Sequence, residues 1–177
     1  MINRSALNFL IATLIVISPV CFSEVTRSSN YGFSLTNSIH TKASDKALYQ
    51  ALVNRVDQWW PKDHSWWEGT MRIDAFAGGC FCETSDNQSA EHMRVSMVVP
   101  NQKLVMIGGL GPLRDMGLSG ALVWSITPFD EGTRITLTYT VNGVIESNAE
   151  GLAAIVDQVQ LQQLSALVTY SELQQVD

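Results

Sequence analysis

The chain has 177 residues, with 11 Lys and Arg against 17 Asp and Glu and a formal net charge of −6. That length supports one domain with its own core. The acidic balance argues against a nucleic-acid partner, whose affinity depends on Lys and Arg neutralising phosphates.

The first segment, MINRSALNFLIATLIVISPVCFSEV, carries one basic residue, Arg4, ahead of an uncharged run from Phe9 to Phe22 broken only by Thr13, Ser18 and Pro19. The run is shorter than the about 20 apolar residues a membrane span needs, and it has the layout of a secretory signal peptide. Cys21 and Ser23 suit the small-residue positions of a cleavage site, so residues 1–23 are expected to be removed before Glu24. The alternative is an uncleaved N-terminal anchor. Lipidation of Cys21 fits less well, because the preceding SPV lacks the aliphatic-then-small pattern. The expected product is secreted, periplasmic for a Gram-negative source, with no stable membrane span after cleavage. It keeps 154 residues, ten of them basic and 17 acidic, a formal charge of −7.

A short polar linker is expected over 24–30, followed by a single domain over 31–173. YGFSLTNSIHT, residues 31–41, alternates well enough for a strand with Phe33 and Ile39 inside. Ser44 is a helix N-cap candidate, with Asp45 in the first turn against the helix dipole. Ala47, Leu48, Ala51 and Leu52 follow at helical spacing, and Val56 with Trp59 or Trp60 prolongs the stripe until Pro61 stops it. Proline also pushes Trp60 out of helical geometry.

Six strands are expected next, over 68–76, 80–86, 91–99, 103–110, 120–128 and 133–141, separated by turn residues and by the longer glycine loop GGLGPLRDMG. The last is the cleanest, with Ile135, Leu137, Tyr139 and Val141 on one face and Arg134, Thr136, Thr138 and Thr140 on the other. One wet face implies a half-covered antiparallel sheet. After Glu146 the period changes. Leu152, Ile155, Val156, Val159, Leu164, Leu167 and Val168 recur at three and four residues, with Asp157, Gln158, Gln162 and Gln163 between them, which predicts a long amphipathic helix laid on the sheet.

The expected class is therefore α+β: one strand, two short helices, six more strands and a long C-terminal helix, about seven strands curved around that helix. This order, together with WWP, GGCFCE, EHMRV, GGLGPL, GALVW and IVDQVQLQQL, resembles the helix-grip (SRPBCC, START-like) superfamily. That superfamily includes START lipid-transfer domains, polyketide cyclases and the activator of the heat-shock-protein-90 ATPase. The resemblance runs from Phe33 to about Tyr170 and is strongest to the activator and cyclase branch. It implies an apolar cavity between sheet and helix. Chaperone regulation ranks last among the implied roles, because an exported chain leaves the compartment where ATP is plentiful. An envelope protein partner remains as the interaction-module reading.

Four of the five tryptophans, Trp59, Trp60, Trp66 and Trp67, lie within nine positions. They either cap one end of the core or line the rim of a cavity, where rings stack on a ligand and indole N–H groups hold its polar edge. Lys62, Asp63 and His64 in their midst favour the rim. The wall of such a cavity is expected from Phe81, Met93, Val95, Met97, Met106, Trp124, Leu137 and Tyr139 on the sheet and from Ile155, Val159 and Leu164 on the helix. Its occupant would be a hydrophobic, lipid-like or aromatic small molecule, with Leu110, Leu113 and Met116 as lid contacts from the glycine loop. That loop lacks nucleotide-binding spacing.

Cys80 and Cys82 are either two small thiols packed on one face of a strand or a labile disulfide with alpha carbons near the upper distance limit. Cys80, Cys82, His92 and His64 match no usual zinc spacing, so no metal and no cofactor are expected. Glu83, His92 and His64 are the candidate acid and base groups for the enzyme alternative, a cyclase, dehydratase or hydrolase on a hydrophobic substrate. Strict alternation places Glu83 inside but His92, with Arg94 and Ser96, outside, unless a bulge near Gly78–Gly79 or Glu91 intervenes. With such a bulge Glu83 could orient His92 as a general base and acid; without it, His92 or Arg94 would form an ordinary surface ion pair with Glu91 or Glu83. NQS at 87–89 matches a glycosylation sequon in a turn where Asn is expected anyway.

Overall fold

The computed structural model describes residues 21–174. Eight strands form one antiparallel sheet: β1 (Cys21–Ser29), β2 (Gly32–Thr41), β3 (Thr70–Ile73), β4 (Cys80–Ser85), β5 (Gln88–Val99), β6 (Lys103–Gly108), β7 (Ser119–Phe129) and β8 (Gly132–Asn142). Their order across the sheet is β1-β2-β8-β7-β6-β5-β4-β3. Helices α1 (Asp45–Asn54) and α2 (Val56–Trp59) link β2 to β3, and α3 (Ala149–Leu173) closes the chain. This is the expected helix-grip architecture with one more strand.

The additional strand is β1, where a linker was expected. Its side chains are almost all exposed, so no apolar alternation marks it. It is held by backbone pairing to β2, with a register shift between Val25 and Arg27. As an edge strand it needs no apolar face. The bulk of the expected signal segment, residues 1–20, lies outside the described residues. Cys21–Ser23 pair with Ile39, Ser38 and Asn37.

Elsewhere local chemistry sets the elements as anticipated. The Ser44 hydroxyl accepts the Ala47 N–H at 3.2 Å and caps α1. Trp60 adopts ψ 126° before Pro61, which ends α2. In β8, Thr133, Ile135, Leu137, Tyr139 and Val141 are buried, while the intervening side chains are not.

Strand β5 departs from alternation twice. Phe81 pairs with Met93 but Cys82 with Glu91, so His92 is an extra residue. Val95 pairs with Met106 but Met97 with Val105, so Ser96 is a second. Each bulge slips the strand by one residue and exchanges its faces. As a result His92 and Met93 are both buried, whereas Met97 is 50% exposed.

Helix α3 packs on β1 and β2 with α1 and α2 beside it, and the two short helices reach β3 and β7. Trp59, Trp124, Phe33, Phe81, Met93 and Met106 fill the solid core beneath. Toward the loops at 60–66 and 110–116 the helix and the sheet separate, leaving a cavity.

Candidate ligand-binding site

The cavity has a volume of about 330 Å³, at the small end of the range for ligand pockets. Three segments and two sheet residues enclose it. Helix α3 presents Leu152, Ile155, Val156, Val159, Gln160 and Gln163, a single helical face. The stretch after α2 supplies Trp60 and residues 63–66, the glycine loop supplies Leu110, Leu113 and Met116, and the sheet supplies His92 and Tyr139.

Of the expected wall residues, Trp60, Trp66, Tyr139, Ile155 and Val159 line the cavity, as do the lid contacts Leu110, Leu113 and Met116 and the candidates His64 and His92. Trp59, Phe81, Met93, Val95, Met106, Trp124, Leu137 and Leu164 are instead core, buried beneath the cavity floor or beyond its end. They belong to the continuous buried core cluster, where side chains pack against one another. Met97 points away from the core because of the second β5 bulge. Trp67 is half-buried and does not reach the cavity.

The tryptophans thus divide between the two roles open to them. Trp59 donates its indole N–H to the Ala51 carbonyl at 2.8 Å and packs edge-on to Trp124. Trp60 does both: its ring lies 5.0 Å from Phe81, its N–H donates to the His64 carbonyl at 3.1 Å, and it lines the cavity. Trp66 stands at the mouth, 36% exposed, with the Arg114 guanidinium 5.7 Å from its ring centre.

The loop that carries Trp66 is fastened from below by Glu83. This carboxylate is fully buried. One oxygen accepts the N–H groups of Trp67 and Gly69, and the other accepts that of Trp66, all at 2.9 Å. Burial would raise the Glu83 pKa, but these three donors together with His92 hold it below the ordinary carboxylate value. Gly69 permits the approach, since a Cβ there would stand 2.5 Å from the Thr84 carbonyl and 3.0 Å from Glu83. Lys62 adds a second tie, donating to Asp57 and to the Gly69 carbonyl at 2.6 Å each.

His92 Nε2 lies 3.1 Å from the second Glu83 oxygen. The bulge in β5, not the alternation of the strand, brings the pair together, and the expectation that His92 faces outward is thereby corrected. Burial lowers the His92 pKa despite the neighbouring carboxylate, and the Arg114 charge lowers it further. The imidazole is therefore neutral near pH 7 and lines the cavity. Arg94, by contrast, pairs with Glu91 at the surface. The Tyr139 hydroxyl donates to the Gly108 carbonyl and accepts the Leu110 N–H, both at 3.0 Å, so it anchors the lid loop. Its pKa is pushed up to about 12 by burial.

Cys80 and Cys82 form a disulfide, with alpha carbons 5.4 Å apart. That separation is ordinary for a bridge and not at the upper limit expected of alternate strand residues.

Sequence reasoning missed Leu152 and Val156 as wall residues, and above all Gln160 and Gln163. Gln163 was grouped with the polar face of the helix, yet both glutamines are buried at 2% exposure and line the cavity. The signal was available in their spacing, since they continue the stripe of Val156 and Val159 by one turn.

A curved antiparallel sheet gripping one long helix over an apolar cavity defines a helix-grip domain. The chain belongs to the family described as Activator of Hsp90 ATPase homolog 1-like protein, which it matches over residues 42–169. No curated protein matches it by sequence. Among solved structures it is similar to a protein of Rhizobium leguminosarum at 17% identity, with 88% of this chain and 98% of that chain covered and a TM-score of 0.60. It is also similar to CalU16 of Micromonospora echinospora at 14% identity, covering 86% and 83% with a TM-score of 0.57. DynU16, a protein in the dynemicin biosynthetic locus, is 20% identical with a TM-score of 0.56. The match covers 78% of this chain but 47% of DynU16, so the chain spans about half its length. Among the described residues no helix is long and apolar enough to cross a membrane.

Proposed function

We propose that this protein is an exported binding module for a small hydrophobic or aromatic molecule held between α3 and the loops at 60–66 and 110–116. The observation that carries the reading is the cavity itself: about 330 Å³, walled mainly by Trp60, Trp66, Leu113, Val156 and Val159, with a few polar side chains among them. Export is supported by the uncharged run from Phe9 to Phe22 behind Arg4. Mass spectrometry of the exported protein is expected to find Glu24 as the first residue, and Met1 still attached would remove that part.

Trp66 provides the clean test of binding. Trp60 packs against Phe81 and Trp59, so its truncation is expected to cost about 3–5 kcal/mol of stability as well. Trp66 is partly exposed at the mouth, and its truncation removes ligand contact without opening the core. Titration of intrinsic fluorescence with isoprenoids, fatty alcohols and aromatic polyketides is expected to saturate for at least one class. Trp66→Ala should weaken that binding roughly tenfold, about 1.4 kcal/mol, with the melting temperature changed by no more than about 3 °C. Absence of saturable binding across the panel would overturn the reading.

The Glu83–His92 contact favours a second reading, catalysis without a cofactor. A neutral imidazole oriented by a buried carboxylate is suited to take a proton from a carbon acid, and one structural neighbour comes from a biosynthetic locus. Deuterium exchange at the acidic C–H of a β-dicarbonyl probe, catalysed by the protein and lost in His92→Asn while binding persists, would carry it. Exchange no faster than in buffer would remove it.

A further inference from the structure

We propose that the cavity is built for a ligand with a neutral hydrogen-bonding head, bound head-inward against Gln160 and Gln163, with its apolar part at the mouth. The inference rests on the binding reading above and names the class of ligand. Among the described residues, six buried side-chain polar atoms have no partner, and three of them belong to cavity residues: Gln160 Oε1, Gln163 Oε1 and His64 Nδ1. A buried polar atom without a partner is costly, and the cost is recovered when something polar meets it. Both glutamines are 2% exposed, too deep for bulk solvent to serve them.

Their position along α3 gives the direction. Leu152 and Gln163 bracket the helical face that lines the cavity, and at 1.5 Å per residue they stand roughly 16 Å apart along the axis. At the mouth stand the exposed side chains Ile155 at 62% and Met116 at 49%, with Trp66, the exposed Asp63 and the Arg114 guanidinium against the Trp66 ring. The two unpartnered amide oxygens therefore belong to the buried part of this helical face, away from the exposed Ile155, so a head group that meets them points inward and leaves the apolar part of the ligand toward Ile155, Met116 and Trp66.

Charge selects the kind of head. No Lys or Arg lines the cavity, and the one formal charge among the lining residues is that of Asp63. A carboxylate brought inward would lose its hydration with no cation to meet it. A hydroxyl, phenol or primary amide both donates and accepts, which suits two side-chain amides whose oxygen and nitrogen ends exchange by rotation.

The test is isothermal calorimetry with 1-octanol, its methyl ether and octanoate at pH 7.5, on the wild type and on Gln160→Leu/Gln163→Leu. The wild type is expected to bind the alcohol roughly tenfold more tightly than the ether, the worth of about one hydrogen bond, and to bind octanoate weakest. In the double variant the alcohol should lose that advantage while the ether holds or gains. Leucine removes the orphaned atoms at similar volume, so the variant's melting temperature should equal or exceed that of the wild type, which shows that it folds. Equal affinity for alcohol and ether in the wild type, tightest binding of octanoate, or an alcohol preference that survives in the variant would each overturn the head-inward assignment while leaving a binding cavity. Failure of all three probes to bind would overturn both this inference and the binding reading for aliphatic ligands.

Discussion

Replacing Glu83 with Gln should loosen the loop that carries Trp66 and cost the fold about 2–4 kcal/mol. The carboxylate spreads three backbone N–H acceptances over its two oxygens, each at 2.9 Å. An amide keeps one oxygen. If that oxygen stays with Trp67 and Gly69, the new NH₂ group faces the Trp66 N–H, donor against donor, and also His92 Nε2. The two retained bonds fall from charge-assisted to neutral, a loss of about 1 kcal/mol each, and the orphaned N–H adds about 1–3 kcal/mol. The sum is reduced because the Trp66–Gly69 segment is only partly buried, so water can reach some of these groups. At about 2–4 °C per kcal/mol for a domain of this size, the melting temperature should fall by roughly 5–15 °C. Urea denaturation followed by circular dichroism measures the free energy, and a red shift of tryptophan emission at low urea reports release of the loop ahead of the sheet. Were Glu83→Gln to melt within about 2 °C of the wild type while ligand turnover collapsed, the carboxylate would be acting on substrate and the clamp argument would be refuted.

Acid should destabilise the protein in two stages. The buried His92 stays neutral in the fold because burial lowers its pKa, while the unfolded chain takes up that proton from about pH 6.5 downward. The unfolded state then binds more protons, and stability declines as pH drops below that point. Glu83 has a lowered pKa through its backbone donors, so its contribution is complete above about pH 4.3 and is lost as pH falls through its folded value. Melting temperatures between pH 8 and pH 3 should show both declines, and an upper decline unchanged in His92→Gln would contradict the assignment. The Cys80–Cys82 bridge closes a very short loop, so reduction or a double Ser substitution should cost no more than about 2 kcal/mol. A much larger loss in denaturant titration would mean that the bridge maintains the neighbouring β5 bulge.

The two bulges mark where sequence reading of this fold succeeds and where it stops. Strand β8 keeps one phase throughout, and α3 keeps one stripe. Both were legible because burial on one face forces apolar residues to a fixed period. Strand β1 was not, since an edge strand held by backbone bonds imprints little on its side chains. In β5 the apolar pattern resembles an ordinary strand, but a single inserted residue leaves composition unchanged and reverses every later side chain. The slip at His92 turns an expected surface imidazole into the partner of Glu83, and the slip at Ser96 turns Met97 out.

Gln160 and Gln163 were hidden for a related reason, because a glutamine inside a helical stripe reads as the edge of the wet face. What distinguishes a polar residue on the apolar face from one beside it is its angular position, one turn beyond Val156 and Val159, and not its chemistry. A fold satisfied by packing alone would place leucine at both positions, as it does at Leu164 and Leu167 one turn further along. Two amides kept there at a cost to stability therefore point to a role in recognition, and they do so on the same helical face that opens, at Ile155, to the outside.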